Sequence, residues 1–137
     1  MYEQFYASLL KVAGVSVLDR EHELEPYRAD TGAATRFPHG VVRVTDVSSV
    51  PRILESANEH GVPLWPISGG RNFGYGTAQP VRAGSVVVDL SALKRIEIDT
   101  EAAVARIQPG VNQHDLEQAI RRAGAPLLVP TTGVGPN

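Results

Sequence analysis

The sequence of 137 residues has no cysteine, few aromatic residues and no long apolar run. The lack of cysteine excludes disulfide bonds, thiolate metal sites and cysteine nucleophiles. The lack of a long apolar run predicts that no helix of the chain crosses a membrane. The 13 basic and 15 acidic residues nearly cancel, at a net charge of -2. We therefore expect neither nucleic acid nor an anionic membrane surface as a partner.

The sequence does have the composition of a globular domain. Hydrophobic residues make up 42% of the chain, which is enough for one domain with a core. The N-terminus, Met1 to Phe5, lacks the basic and apolar regions of a signal peptide, which favours the cytoplasm and leaves the periplasm open. The histidines do not have the spacing of metal ligands, so we predict no metal site; they are His22, His39, His60 and His114.

Hydrophobic periodicity predicts helices and strands in alternation, so the predicted fold class is α+β. Three helices are predicted: one over 2–13 that ends at Gly14, one that begins after Ser49 and ends at Gly61, and one that begins at Asn112 and ends at Gly124. Strands are predicted over 41–44, 64–67, 85–90 and 127–129, with a hairpin formed by 95–99 and 103–108. Residues 15–40 are predicted to be irregular.

The segment 63–76 carries the strongest functional signal. A short predicted strand ends at Ile67 and opens into a loop with four glycines, which are Gly69, Gly70, Gly74 and Gly76. Glycines leave several consecutive backbone N–H groups exposed, and such groups form a concave site suited to a phosphate or pyrophosphate. Arg71 and Asn72 add side-chain donors. The loop predicts a phosphorylated cofactor; the alternative is a glycine-rich surface turn between two strands.

Two well-known phosphate-binding patterns do not fit this loop. The dinucleotide pattern G-x-G-x-x-G must open a helix. Here Gly74-Tyr75-Gly76 is followed by Gln79 where the third glycine belongs, and Pro80 blocks a helix. The phosphate loop of nucleotide triphosphatases requires Gly-Lys-Ser/Thr, and the sequence has no such tripeptide.

Three stretches of sequence together resemble a known family. They are PLWPISGGRNFGYG at 63–76 with Gln79-Pro80, GSVVVDL at 84–90, and AVARIQPGV at 103–111. This combination closely resembles the FAD-binding domain of the vanillyl-alcohol oxidase and p-cresol methylhydroxylase family, called the PCMH-type domain. The Gly-Tyr-Gly form of the loop resembles the branch that acts on para-substituted phenols.

The resemblance implies that the chain is incomplete relative to the family. It implies the N-terminal part of a PCMH-type fold, a small mixed sheet flanked by helices. Residues 1–40 would form an N-terminal helix and an irregular lead-in, and 41–137 the N-terminal part of the FAD-binding domain. The family's members are several times longer, so the rest of that domain and the cap domain would be absent from this fragment.

The resemblance also implies which residues contact FAD. They are Pro66, Ile67, Ser68, Gly69, Gly70, Arg71, Asn72, Phe73 and Gly74 in the first loop, Pro109 and Gly110 in the Pro-Gly-Val turn, and Pro130, Thr131, Thr132 and Gly133 near the end of the sequence. Tyr75 matches the tyrosine that hydrogen-bonds the phenolic oxygen of the substrate, and the alternative for Tyr75 is a packing role in the loop.

The chemistry implied by the resemblance is hydride transfer from the benzylic carbon of a phenolic substrate to FAD. The electron acceptor would be oxygen or a cytochrome, and the protein would be a homo-oligomer. Two departures from the family matter. Thr131 and Thr132 stand where some members have an aspartate near the flavin, and Arg71 stands where related oxidases have a histidine that links FAD covalently.

Other readings remain open from the sequence. The substrate of the same FAD site is alternatively a 2-hydroxy acid or an alcohol, which Tyr75 argues against. The chain is alternatively a non-catalytic fragment that binds no flavin by itself. His39 is a weaker candidate for approaching the flavin, and Trp65 is expected to pack in the core or on the adenine side of the cofactor.

Overall fold

The computed structural model describes residues 1–28, 36–70 and 78–129, which form an α+β fold. The helices are α1 (Tyr2–Leu9), α2 (Glu21–Leu24), α3 (Val50–His60) and α4 (Gln113–Ala123), with short 3-10 turns at Glu25–Tyr27 and Val47–Ser49. The strands are β1 (Val15–Leu18), β2 (Gly40–Val44), β3 (Leu64–Ile67), β4 (Val86–Asp89), β5 (Ile96–Asp99) and β6 (Val104–Ile107). None of the helices within the described ranges is both long and apolar enough to cross a membrane.

Four of the strands form a mixed sheet in the order β1-β2-β4-β3. β2 and β3 both pair parallel to β4, whereas β1 pairs antiparallel to β2. The register places Arg43 of β2 and Ile67 of β3 on either side of Asp89 of β4. The three parallel strands therefore end together, and we call this side of the sheet the carboxyl edge.

β3 lies at one side of this sheet and contains a proline. The N–H of Val86 donates to the carbonyl of Pro63, and the N–H of Leu90 donates to that of Ile67. The odd-numbered residues of β3 thus bond to β4, and Pro66 faces the other way. Its missing N–H costs the ladder no hydrogen bond, which is why proline is tolerated on an outer strand.

Both faces of the sheet are covered. α1 and α3 pack on one face, where the buried side chains are Phe5, Leu9, Val42, Val44, Ile53, Ala57, Val62, Val86, Val88 and Leu93. On the second face the buried side chains are Leu24, Tyr27, Val41, Ile67, Ala78 and Val87. Because β2 and β4 are buried on both faces, they read as continuous valine-rich runs rather than as alternating strands.

The remaining described elements form a hairpin with a helix. β5 and β6 pair antiparallel, with Ile96 opposite Ile107, and α4 contacts β5. The predicted cap of α4 is confirmed, because Oδ1 of Asn112 accepts from the N–H of Asp115 at 2.7 Å. The predicted helix end is confirmed as well, since Gly124 has a φ of 60° in the left-handed region that favours glycine.

The prediction that 15–40 is irregular was wrong in part. β1 pairs with β2 over its whole length, and residues 21–24 form the single turn α2. β1 has only four residues, too short for a clear periodic signal, and its backbone is satisfied by a partner strand that local sequence does not reveal.

The predicted end of the first helix and the predicted strand over 127–129 were also wrong. The first helix stops at Leu9 instead of continuing to 13, and the side chain of Leu10 is 73% exposed, so a longer helix would bury no further apolar face there. Residues 127–129 are not a strand. Within the part of the chain that the structure describes, no strand lies beside them, and Leu128 is 94% exposed.

The packing of α3 on the sheet gives a testable consequence. Ile53 is 1% exposed and Leu54, its neighbour in α3, is 50% exposed. Replacing Ile53 with alanine should lower the free energy of unfolding by about 2–5 kcal/mol, because a cavity replaces a packed side chain. Leu54→Ala should cost about 0.5 kcal/mol. Urea denaturation of both variants measures the difference, and equal losses would contradict this packing.

Candidate functional site

The glycine-rich loop leaves the sheet at the carboxyl edge. Ser68, Gly69 and Gly70 follow Ile67 directly after the end of β3. In the described residues, no carbonyl or side chain accepts a hydrogen bond from the N–H groups of these three residues. Three successive N–H groups without internal partners are the donor set that phosphate oxygens require.

Gly69 leaves space for an incoming group. Among the described residues, a β-carbon placed on Gly69 would have no heavy atom within 4 Å. None of these residues therefore requires glycine at this position for packing. An open surface beside consecutive backbone donors is the arrangement expected where a ligand approaches the backbone closely.

Gly70 has a different role, which is to close the loop. Its φ of 64° lies in the left-handed region, and a β-carbon there would come within 3.0 Å of the β-carbon of Ala78 and 3.4 Å of Cδ1 of Ile67. Gly70 and Ala78 thus lie close to each other. Next to Ala78, the buried side chain of Gln79 donates from Nε2 to the carbonyl of Arg28 at 2.9 Å. Both ends of the loop are anchored.

A buried carboxylate lies at the same edge. Oδ2 of Asp89 accepts from the hydroxyl of Tyr27 at 2.6 Å and from Nε of Arg43 at 3.2 Å. Nη2 of Arg43 donates to the oxygen of Tyr27 at 3.0 Å, and Oδ1 of Asp89 accepts from the N–H of Ser91 at 2.9 Å. We call Tyr27, Arg43 and Asp89 the Asp89 cluster.

The protonation states in the Asp89 cluster follow from its hydrogen bonds. Burial acts to raise the pKa of Asp89, but the hydrogen bonds from Ser91, Tyr27 and Arg43 outweigh it and hold the pKa below its ordinary value. Burial and the bond to Asp89 raise the pKa of Tyr27, which keeps its hydroxyl protonated. A lowered carboxyl pKa means that Asp89 contributes stability above its ordinary pKa of 3.8, which is lost as the pH falls through the lower folded value.

The second predicted FAD segment, Pro109 and Gly110, adjoins the chain that follows β4. The N–H of Gly110 donates to the carbonyl of Leu93 at 2.8 Å. A β-carbon on Gly110 would collide with the carbonyl of Ser91, so glycine is required here for packing. Ile67, which directly precedes Ser68, and Gly110 thus both contact the segment 89–93. Their contact with FAD remains a prediction.

Other predicted residues are placed as follows. Trp65 is half-buried and packs on the second face of the sheet. His39 stacks on the ring of Tyr2 at 3.5 Å and its Nδ1 is 2.9 Å from the hydroxyl of Tyr6. His39 precedes β2, at the opposite edge of the sheet from the loop. The predicted residues outside the described part are Arg71, Asn72, Phe73, Gly74, Tyr75, Pro130, Thr131, Thr132 and Gly133.

Sequence reasoning missed the Asp89 cluster. The only local signal was an aspartate that closes a run of three valines, which places a charge at the end of a buried strand. Tyr27 lies in a segment predicted to be irregular. Arg43 lies in a strand whose other residues are glycine and valine. Their contact with Asp89 depends on the order of strands in the sheet, which the sequence does not state.

Comparison with known proteins connects this geometry to a family. Residues 38–135 match the family described as FAD binding domain. The 4-cresol dehydrogenase (hydroxylating) flavoprotein subunit of Pseudomonas putida is 35% identical over 129 residues, which cover 88% of this chain and 25% of that protein. Glycolate oxidase subunit GlcD of Bacillus subtilis is 33% identical over 88 residues, covering 64% of this chain and 18% of that protein.

A solved structure shares the fold. The crystal structure of p-cresol methylhydroxylase with substrate bound superimposes with a TM-score of 0.78 at 35% sequence identity, over 93% of this chain and 25% of that one. The chain thus spans about a quarter of the length of these two phenol-related proteins. The predicted PCMH-type fold, its partial extent and the resemblance to this family are confirmed. By the match over 38–135 and the identity to this flavoprotein subunit, the chain belongs to the FAD-binding domain family, and its cofactor is FAD.

Proposed function

We propose that the chain is the FAD-binding N-terminal part of a flavin-dependent oxidoreductase that oxidises para-substituted phenols. The observation that carries the proposal is the open space beside Gly69 at the point where the N–H groups of Ser68, Gly69 and Gly70 have no partner among the described residues. The 35% identity to a 4-cresol dehydrogenase subunit over most of the chain supports the phenolic substrate, as does Tyr75 within Gly-Tyr-Gly.

FAD, when bound, supplies the acceptor for a hydride from the substrate. The residues of this chain hold and orient it. The N–H groups of Ser68, Gly69 and Gly70 would bind pyrophosphate oxygens, and the side chains of Arg71 and Asn72 would add donors. Placing a dianionic group against fixed backbone dipoles requires no rearrangement when the ligand arrives, which favours affinity.

Tyr75 would act on the substrate. Its hydroxyl would donate a hydrogen bond to the phenolic oxygen and stabilise the phenolate form, which releases a benzylic hydride more readily than the neutral phenol. Thr131 and Thr132 carry no carboxylate, so a base-assisted attack of water would need a residue from elsewhere. The proposed substrate class is therefore para-substituted phenols at large, with no single phenol specified.

A second candidate keeps the FAD site and changes the substrate to a 2-hydroxy acid. The identity of 33% to a glycolate oxidase subunit favours it over part of the chain. Assays of the full-length protein with 4-alkylphenols and with 2-hydroxy acids separate the two.

In either case we propose oxygen or a cytochrome as electron acceptor, a homo-oligomeric state and a cytoplasmic location. If the chain alone binds no flavin, the fragment is non-catalytic by itself.

The two glycines at the start of the loop give a sharp test of the FAD contact. Gly69→Ala should leave the melting temperature unchanged, because a β-carbon there meets no atom of the described residues within 4 Å. It should nevertheless lower the affinity for FAD by about tenfold, because a methyl group would stand where the pyrophosphate approaches. Calorimetric titration with FAD and thermal melts measure the two quantities.

Gly61→Ala is the matched control. Gly61 has a φ of 65° and open space around a β-carbon, and it ends α3. Alanine there should cost about 1 kcal/mol of stability through backbone strain and leave FAD affinity unchanged. Unchanged FAD affinity in Gly69→Ala would remove this part of the loop from the cofactor site.

Tyr75→Phe tests the substrate class. The variant of the full-length protein should bind FAD as the wild type does, because the hydroxyl is assigned to the substrate. Its kcat/KM for a 4-alkylphenol should fall by about 100-fold, the effect of losing one donor to a developing anion. Steady-state kinetics give the value, and normal turnover by the variant would show that Tyr75 has no part in binding the phenolate.

A further inference from the structure

The Asp89 cluster contains a carboxylate whose burial is unfavourable by itself, and neither the hydrophobic core nor the proposed FAD contacts explain its presence. The side chain of Asp89 is 5% exposed and that of Arg43 is 43% exposed. Removing a carboxylate from water is unfavourable unless donors replace the lost hydration. Asp89 has three such donors, from Tyr27, Arg43 and Ser91.

The position of the carboxylate indicates what it does. The bond from the N–H of Ser91 to Oδ1 of Asp89 fixes the direction of the chain immediately after β4. On one side of this turn, the N–H of Leu90 donates to the carbonyl of Ile67, the last residue before Ser68. The turn therefore adjoins the start of the glycine-rich loop.

The same turn adjoins the Pro109–Gly110 turn, the second predicted FAD segment. Gly110 packs directly against the carbonyl of Ser91, and its N–H donates to the carbonyl of Leu93. A change in the direction of the Ser91 peptide would move the surface on which Gly110 rests. The Asp89 carboxylate thus holds a stretch of chain that contacts Ile67, directly before the glycine-rich loop, and Gly110.

We propose that the Asp89 cluster is the positioning unit of the FAD site, which sets the glycine-rich loop and the Pro109–Gly110 turn at the spacing that FAD requires. Asp89 acts through Ser91 and Leu90 and does not itself touch the cofactor. Tyr27 and Arg43 hold the carboxylate on its other side, so they tie the segment before β2 to the same site. The proposal rests on the FAD contacts proposed above for Ser68–Gly70 and on those predicted from the sequence for Pro109–Gly110.

The test is Asp89→Asn in the full-length flavoprotein. The amide keeps the size of the side chain and can still accept from Ser91, but its NH2 group then faces Nε of Arg43, which is also a donor. FAD affinity should fall by about tenfold or more, and the visible circular dichroism of bound FAD should change because the flavin is held differently. Ile53→Ala is the control. Ile53 lies on the opposite face of the sheet, and its replacement is expected to lower the free energy of unfolding by a similar or greater amount.

The control separates positioning from stability. If the Asp89 cluster only stabilises the fold, Asp89→Asn and Ile53→Ala will bind FAD with the same affinity and the same dichroism at a temperature where both are folded, and the proposal is overturned. Loss of affinity in Asp89→Asn alone supports it. If Asp89→Asn does not fold, Tyr27→Phe decides, because it keeps the buried ring and removes one donor; wild-type FAD affinity and dichroism in Tyr27→Phe would overturn the proposal.

These outcomes can be told apart from a failure of the FAD contacts themselves. If Gly69→Ala loses affinity and Asp89→Asn does not, the loop contact holds and the positioning role is wrong. If Gly69→Ala keeps full affinity, the loop contact is wrong, and the positioning role falls with it.

Discussion

The pairing of β2 and β3 on the two sides of β4 is the constraint on which the rest of the structure depends. Parallel pairing brings three strand ends to one edge, and only there can the loop after β3 and the turn after β4 share a surface. β4 is buried on both faces, so its register is fixed by packing from α1 and α3 on one side and by the second-face cluster on the other.

The carboxyl edge combines an exposed set of backbone donors with a buried, hydrogen-bonded carboxylate. The N–H groups of Ser68–Gly70 have no hydrogen-bond partner in the described part of the chain, which suits a ligand but contributes little to stability. The carboxylate of Asp89, at the same edge, is buried and accepts hydrogen bonds from Tyr27, Arg43 and Ser91. Loss of one of these hydrogen bonds would leave the buried carboxylate with one donor fewer, which opposes local opening of the cluster. A rigid base beneath an exposed donor set is the arrangement that keeps the cost of binding low.

Sequence reasoning reached the fold class, the family and the position of the glycine-rich loop, because each rests on a local pattern. Asn112, Gly61 and Gly124 mark helix ends through short-range chemistry that is independent of the rest of the chain. Ser49 precedes α3 as predicted, but it does not cap the helix, because its hydroxyl donates to the carbonyl of Asp46. β1 was missed because its stability comes from β2, and the supposed strand at 127–129 failed because an apolar run needs a partner strand.

In the candidate site as well, features set by tertiary contacts could not be predicted from local sequence. The separate roles of Gly69 and Gly70 could not be read from the sequence, since one depends on open space and the other on contact with Ala78. The Asp89 cluster joins residues 46 and 62 positions apart, and no local pattern connects them. Gly110 was predicted as a cofactor residue from resemblance alone, and the structure adds a packing reason for glycine there.

The central claim is that the backbone of Ser68–Gly70 holds the FAD pyrophosphate. The most direct measurement is the change in the amide NMR signals of Ser68, Gly69 and Gly70 during titration with FAD, ADP and AMP. The account predicts large shifts of these three amides with FAD and ADP, and much weaker binding of AMP, which has one phosphate. Binding of FAD that leaves these amides unshifted, or equal affinity for AMP and ADP, would contradict it.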